Sequence, residues 1–168
     1  MKNILIVLAF LFSTLLLLFS ASAHAGTFGK YGKGIDRTAE YGTAAVKNFS
    51  FGCNKPWYGP FMQQYELGLF ADSSGHERSS SAYGFYSLGV EVAADPVVIR
   101  SLWGVGAIST PDDMLGGRFQ FTQDLLLGLR DKRGNLIGVD YKHISSAGIY
   151  DPNKGRDFIT IQVEVLWR

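Results

Sequence analysis

The chain has 168 residues, of which 46% are hydrophobic, 14% aromatic and only 18% charged, a composition that excludes a disordered chain and favours one folded domain. Its 16 basic and 15 acidic side chains give a formal charge of +1, too balanced for a protein that binds nucleic acid through its charge. The single cysteine excludes an internal disulfide and any multi-cysteine metal site.

The N-terminal segment has the three parts of a secretory signal peptide. Lys2 precedes a mostly apolar run over residues 4–19, and the small residues Ala23 and Ala25 end the segment. The alternative, a retained membrane anchor, needs about 20 apolar residues and has no use for small residues at a cleavage site. We therefore expect cleavage of residues 1–25, which leaves an exported, electrically neutral chain of residues 26–168.

The rest of the chain alternates between apolar and polar side chains, the pattern of β-strands with two different faces. The last strand is the clearest, because Ile159, Ile161 and Val163 alternate with polar residues. The pattern predicts eight strands, near 27–34, 38–49, 58–71, 82–93, 96–108, 118–129, 136–145 and 157–167. The segment 50–57, which contains Cys53, is predicted to be a linker.

Eight antiparallel strands behind an export signal are compatible with a soluble barrel or with a small outer-membrane barrel. The predicted strands reach the roughly 9 to 11 residues that cross a membrane. Their polar faces carry charges that a small apolar core would not accept without partners: Asp124, Asp140, Lys142 and Glu164. These observations favour an all-β fold, an eight-stranded antiparallel transmembrane β-barrel in the bacterial outer membrane.

The lengths of the connections agree with this fold. Outer-membrane barrels have short periplasmic turns and longer external loops. Short turns are predicted at 94–95 and 131–135, and they alternate with longer polar connections at 72–81, 109–117 and 147–156. A soluble barrel has no reason to alternate in this way.

Two chemically active side chains lie near the end of the seventh predicted strand. His143 and Ser145 are two residues apart, so their side chains point to the same face, on the order of 7 Å apart. That face is the apolar one, which in a membrane barrel points to lipid, where a polar group is costly and is a functional candidate. A base beside a hydroxyl is the minimum for an activated serine, and Asp157, on the same face of the next strand, can supply the third group. A chance pair facing lipid head groups is the alternative.

The sequence from Phe119 to Asp157 resembles the C-terminal half of the lipid A 3-O-deacylases (PagL family). The resemblance rests on Gly138-Val139, on Tyr141-Lys142-His143-Ile144-Ser145-Ser146-Ala147-Gly148, and on Pro152-Asn153 followed by Gly155. It implies an eight-stranded outer-membrane barrel with a serine hydrolase site on the lipid-facing side. The alternation along the seventh strand independently predicts the same face for His143 and Ser145.

The resemblance also implies roles for individual residues. Ser145 matches the family nucleophile and His143 its general base. Asp157 stands at the acidic position, where the family usually has glutamate. The implied reaction is hydrolysis of the acyl ester at position 3 of lipid A by a serine esterase, with no metal or organic cofactor. Its partners are lipopolysaccharide as substrate and outer-membrane lipid, and the sequence leaves open whether the chain forms a homodimer.

The residues after the nucleophile are implied to bind substrate or to hold the oxyanion. Ser146 replaces an asparagine that often follows the family nucleophile, and Ala147 and Gly148 complete the motif. Because Ser146 has an even number, its side chain is expected to point away from His143, so its backbone N–H is the more useful donor. Two rival functions remain open: a non-catalytic outer-membrane barrel with a degenerate site, and a soluble periplasmic lipid-binding barrel.

Overall fold

The computed structural model describes residues 26–35, 46–72, 80–111, 115–151 and 153–166. These residues form eight antiparallel strands, each paired with its neighbours in sequence, and the last strand pairs with the first to close a barrel. Among them, no helix has the length and apolar character needed to span a membrane. The strands are β1 (Gly26–Ile35), β2 (Val46–Tyr58), β3 (Phe61–Asp72), β4 (Ser81–Ala94), β5 (Val97–Ile108), β6 (Phe119–Arg130), β7 (Leu136–Ser145) and β8 (Arg156–Leu166).

The predicted eight-stranded antiparallel barrel is confirmed, but the second strand was placed wrongly. The prediction near 38–49 falls partly on 36–45, which lie outside the described residues, whereas β2 continues to Tyr58. The predicted linker at 50–57 is therefore strand, and Cys53 is buried within it. The polar residues that suggested a linker, such as Ser50 and Asn54, are fully buried and face the interior.

The barrel is built inside out, with apolar side chains on its outer wall. On β8, Ile159 and Ile161 are 50% and 58% exposed, whereas Thr160 and Gln162 between them are each 1% exposed. This alternation follows from the strand period of two. It gives the apolar outer surface and polar interior of a barrel that lies in lipid.

An interior charge cluster fills the middle of the barrel: Lys30, Glu66, Asp124, Asp140 and Lys142. Lys30 Nζ lies 2.9 Å from a carboxylate oxygen of both Asp124 and Asp140. Lys142 Nζ lies 2.9 Å from Glu66 and 2.8 Å from Asp124. Each buried charge therefore has an oppositely charged partner, which offsets the cost of removing it from water.

A second set of ion pairs joins residues of β4, β5, β6 and β8. Arg100 donates from Nη1 to Glu164 and from Nε to Glu91, at 2.9 Å in each case. Arg130 Nη1 donates to the other oxygen of Glu91 at 2.7 Å. The charge that the sequence places at Glu164 is thus paired inside the barrel.

The connections differ in length at the two ends of the barrel. The turns at Gly59-Pro60, Asp95-Pro96 and 131–135 lie at one end, and β1, β3, β5 and β7 finish at the other end, where eight to ten residues separate each from the next strand. By the rule for outer-membrane barrels, the end with longer connections is external. The predicted signal peptide, residues 1–25, lies outside the described residues, and its cleavage stays a prediction.

At the external end of the strands, the interior is apolar. The buried side chains that pack there are Val46, Phe70, Tyr83, Phe85, Ile108, Leu115, Ile144 and Phe158. Ile144 and Phe158 are both 0% exposed, and they follow His143 and Asp157 directly in sequence. This close packing restricts the movement of the strands where β7 ends and β8 begins.

Candidate active site

The residues singled out from the sequence meet where β7 ends and β8 begins, at the external end of the barrel. Alternation along β7 gives Tyr141, His143 and Ser145 partial exposure on the outer wall, whereas Lys142 and Ile144 between them are completely buried. The prediction that His143 and Ser145 share the outward face agrees with this pattern.

His143 and Asp157 are direct partners in the pairing of β7 with β8. Nδ1 of His143 lies 2.8 Å from Oδ1 of Asp157. The imidazole is 29% exposed and the carboxyl group only 7%. A carboxylate accepts hydrogen bonds only, so Nδ1 carries the proton in this pair and Nε2 is left as the basic nitrogen. Because the two strands place these residues opposite each other, the short side chain of aspartate is long enough.

Tyr141 is a third member of this group that the sequence reasoning did not assign a role. Its hydroxyl donates to Oδ1 of Asp157 at 2.6 Å, the same oxygen that contacts His143. Tyr141 precedes His143 by two residues and therefore shares its face. That spacing was the available signal, but the contact depends on the register between β7 and β8.

The absence of a side chain at Gly155 leaves space for the imidazole of His143. A Cβ atom at position 155 would lie 2.8 Å from Cε1 of His143 and 3.5 Å from Nε2. Gly155 also has a φ of +70°, in the left-handed region that favours glycine. A larger residue would therefore strain the backbone and push the ring of His143 out of place.

Ser145 lies on the same face and ends β7. Its partner on β6 is Phe121, whose ring packs edge-on against Phe119 with centroids 5.2 Å apart. Among the described residues, no hydrogen bond joins the hydroxyl of Ser145 to the imidazole of His143. The structure thus joins His143 to Asp157 directly and brings Ser145 only to the same face. Catalytic hydrogen bonds are often long without substrate and tighten when it binds.

A tight turn follows Ser145. The N–H of Ile149 donates to the carbonyl of Ser146 at 3.0 Å, and the two central residues, Ala147 and Gly148, have φ angles of 51° and 82°. Positive φ at both central positions defines a type I′ turn. Ala147 is the one non-glycine residue with positive φ in the described part of the chain, a strained conformation of the kind that clusters at functional sites.

The side chain of Ser146 lies inside the barrel wall. It is 0% exposed and its hydroxyl has no partner among the described residues, so it points away from His143, as its even number predicted. Its backbone N–H is also engaged, because it donates to Oδ1 of Asn153 at 2.9 Å. The expectation that this N–H is available as a donor was therefore wrong. Asn153 instead fixes the turn across the loop.

The central residues of the turn differ from Ser146 in their exposure and hydrogen bonding. Ala147 and Gly148 are both exposed, and within the described residues neither N–H donates a hydrogen bond. They directly follow the strand that carries His143 and Ser145. Their N–H groups are therefore backbone donors without a partner among the described residues, two and three residues after the serine.

Comparisons with known proteins identify the family. A family model described as lipid A 3-O-deacylase (PagL) matches residues 29–165. Lipid A deacylase PagL of Bordetella bronchiseptica is 38% identical over 136 residues, with 74% of this chain and 71% of the relative covered. The solved structure of the outer membrane enzyme PagL has a TM-score of 0.66 at 20% sequence identity, covering 83% of this chain and 98% of that chain, a likeness in fold. The chain therefore belongs to the lipid A 3-O-deacylase (PagL) family and is a β-barrel of the bacterial outer membrane.

Proposed function

We propose that this chain hydrolyses the ester-linked acyl chain at position 3 of lipid A, with Ser145 as nucleophile, His143 as general base and Asp157 as the group that orients it. The observation that carries the proposal is the contact of 2.8 Å between His143 and Asp157 on the lipid-facing wall, two residues from Ser145. Membership of a family of lipid A deacylases supports the substrate.

The first step transfers the acyl group to the serine. Asp157 accepts the hydrogen bond from Nδ1 of His143, so Nε2 takes the proton as Oγ of Ser145 attacks the ester carbonyl carbon. The tetrahedral intermediate collapses when the bond between that carbon and the sugar oxygen breaks. His143 returns the proton to the departing oxygen, which leaves a hydroxyl on the sugar and an acyl ester on Ser145.

The second step releases the acyl chain. A water molecule attacks the acyl ester, and Nε2 of His143 takes one of its protons. When the bond to Oγ breaks, His143 returns the proton to Ser145, and a 3-hydroxy fatty acid leaves. The two steps together consume one water molecule and restore the protein.

Backbone N–H groups of the turn after Ser145 are suited to hold the oxyanion. Ala147 and Gly148 are exposed residues of a hydrogen-bonded turn, and among the described residues neither N–H donates a hydrogen bond. The hydrogen bond from Ser146 N–H to Asn153 ties the turn to the loop beneath it. Fixed donors at the position of the developing charge contribute about 100-fold or more in acyl transfer. The side chain of Ser146 has no part in this proposal.

The position of the site supports a substrate that arrives through the membrane. The outer wall around Ser145 is apolar, and the site lies at the external end of the barrel, the side of the leaflet that holds lipopolysaccharide. The acyl chains of lipid A can therefore stay in lipid while the ester at the head group reaches Ser145.

The direct test is to express the protein in a lipopolysaccharide-bearing host and to weigh its lipid A by mass spectrometry. We expect the loss of one 3-hydroxyacyl group, with fragmentation locating the loss at position 3, and we expect none with Ser145→Ala. Heat-modifiable migration in gels checks that both barrels are folded in the outer membrane. Unchanged lipid A beside a correctly folded wild-type barrel would favour the alternative, a non-catalytic outer-membrane barrel.

A further inference from the structure

Two lysines face each other on the outer wall of the barrel. Lys33 on β1 and Lys47 on β2 are direct partners in the strand pairing, and both side chains are exposed on the face that meets lipid. Like charges placed directly opposite each other destabilise a sheet. A cation on the lipid face of a barrel is a further cost. Among the described residues, neither ammonium group has a carboxylate partner, so the pair lacks the anion that would offset these costs.

The pairing register gives the height of these lysines on the wall. The row of paired residues that contains Lys33 can be followed round the barrel in both directions. Through β2 it reaches Ala71 on β3. In the other direction, through β8, β7, β6, β5 and β4, it reaches Phe61 on the same strand. A row of pairs therefore slips by ten residues, from 71 to 61, in one circuit of eight strands. Because the strands are tilted, the residue paired with a given residue does not lie at the same height along the barrel axis. The offset is about one and a quarter residues for each strand crossed.

This slip places the lysines level with the candidate active site. Lys33 lies in the row of Tyr141 on β7, two strands away. Across two strands the offset is about two and a half residues, so the residue of β7 at the same height as Lys33 is His143 and not Tyr141. Lys47, one strand further on, has nearly the height of Ser145. With strands about 4.8 Å apart and residues about 3.3 Å apart along a strand, the Cα atoms of Lys33 and Lys47 lie roughly 16 and 20 Å from that of Ser145 along the wall. A phosphorylated disaccharide and the extended lysine side chains together span such a distance.

The rest of the wall at this height is apolar. The outward positions of β3, β4, β5 and β6 in this band are Leu69, Ala71, Ala82, Gly84, Val105, Ala107, Phe119 and Phe121. Among the described residues of β3 to β6, Gln123 on β6, the direct partner of His143, is the polar outward side chain nearest to this band. The polar outward side chains within the band lie on the adjoining strands β7, β8, β1 and β2. Lys33 is therefore on the strand next to β8, which carries Asp157, and Lys47 is one strand further from the site.

We propose that Lys33 and Lys47 form a phosphate subsite that binds the phosphorylated head group of lipid A and sets the position of its ester against Ser145. This inference rests on the proposed function, because the ester must meet Ser145. A phosphate fits the pair for two reasons. It supplies the negative charge that two opposed ammonium groups lack, and it lies at the membrane surface while its acyl chains remain against the apolar wall.

The kinetic test compares lipid A with chemically dephosphorylated lipid A in detergent micelles. For the double variant Lys33→Gln/Lys47→Gln, we expect KM for lipid A to rise by about 25-fold, roughly fivefold for each lysine, with kcat within twofold. KM for the dephosphorylated lipid should be unchanged, and Lys33→Arg/Lys47→Arg should restore the wild-type KM. Lys132→Gln, in the exposed periplasmic turn, is the matched control and should change KM for neither substrate. An unchanged KM in the double variant, or an equal rise with both lipids, overturns the subsite.

A binding test separates this inference from the proposed function. In the Ser145→Ala background, which forms no product, affinity for lipid A should fall as salt rises and should drop by the same factor when both lysines become glutamine. Dephosphorylated lipid A should bind with little dependence on salt or on the lysines. Loss of phosphate-dependent binding in the double variant supports the subsite even if the wild-type protein leaves lipid A intact, whereas identical binding with and without the lysines overturns it even if the protein is a deacylase.

Discussion

The hydroxyl of Tyr141 and the carboxylate of Asp157 are joined by a hydrogen bond of 2.6 Å, made to the oxygen that also contacts His143. The carboxylate is therefore held from two sides by residues of one strand. A side chain with this bond has less freedom to turn away from the imidazole.

Tyr141→Phe should lower kcat by about tenfold and leave KM within twofold. The change removes a hydrogen bond to a charged group, typically about 1.5 to 3 kcal/mol, from a residue that acts only through Asp157. The measurement is steady-state hydrolysis of lipid A in micelles. Tyr31→Phe, at another exposed tyrosine on the outer wall, is the matched control and should leave both constants unchanged. A rise in KM with no change in kcat would mean that Tyr141 binds lipid and does not position Asp157.

Substitutions at Asp157 separate its charge from its length. Asp157→Asn should lower kcat by about 100-fold or more, because a neutral amide no longer fixes the tautomer of His143. Asp157→Glu should retain activity within about tenfold, since the direct opposition of the two residues on β7 and β8 leaves the longer side chain within reach. Both are measured by hydrolysis of lipid A, with folding checked by heat-modifiable migration. Equal activity of the wild type, Asn and Glu forms would remove Asp157 from the mechanism.

Gly155→Ala should lower kcat by at least about tenfold. The new methyl group would lie 2.8 Å from Cε1 of His143, so the ring must move away from its contact with Asp157. Gly59→Ala is the control for backbone strain alone, since Gly59 also has a positive φ, +56°, but nothing lies within 4 Å of its added Cβ. Both variants should fold, and only the first should lose activity. Similar losses in both would show that strain, and not the position of the ring, is responsible.

Lys30→Met should destabilise the barrel by about 3 to 5 kcal/mol. It leaves Asp124 and Asp140 without one of the cations that face them in the interior. The measurement is the urea midpoint of the folded band in gels, with Lys132→Met on the exposed turn as the control. A midpoint equal to that of the wild type would mean that Lys142 alone is sufficient for the interior charge cluster.

Much of the barrel could be predicted from strand period. Strands β3 to β8 fall within about three residues of their predicted bounds, because their outward side chains are apolar and their inward ones polar. β2 could not be placed in this way. Its inward residues Asn48, Ser50 and Asn54 look like those of a loop, and only a polar interior makes them suitable for a strand.

The candidate site was only partly predictable for a different reason. The shared face of His143 and Ser145 follows from their numbers alone. The opposition of His143 and Asp157 depends on the register of two strands across a loop, which no short pattern determines. The contacts of Tyr141 and Asn153 follow from the same register and loop shape, so they could be found only in the folded chain.

The carboxylate of the site belongs to the strand that completes the barrel. Asp157 lies on β8, which pairs with β7 on one side and closes against β1 on the other. In the proposed mechanism, a chain still in transit, with β8 unpaired, would hold His143 without the carboxylate that orients it. Hydrolytic activity would then begin only when the barrel closes in the membrane. A chain that has not yet folded would not hydrolyse the esters that it meets during export.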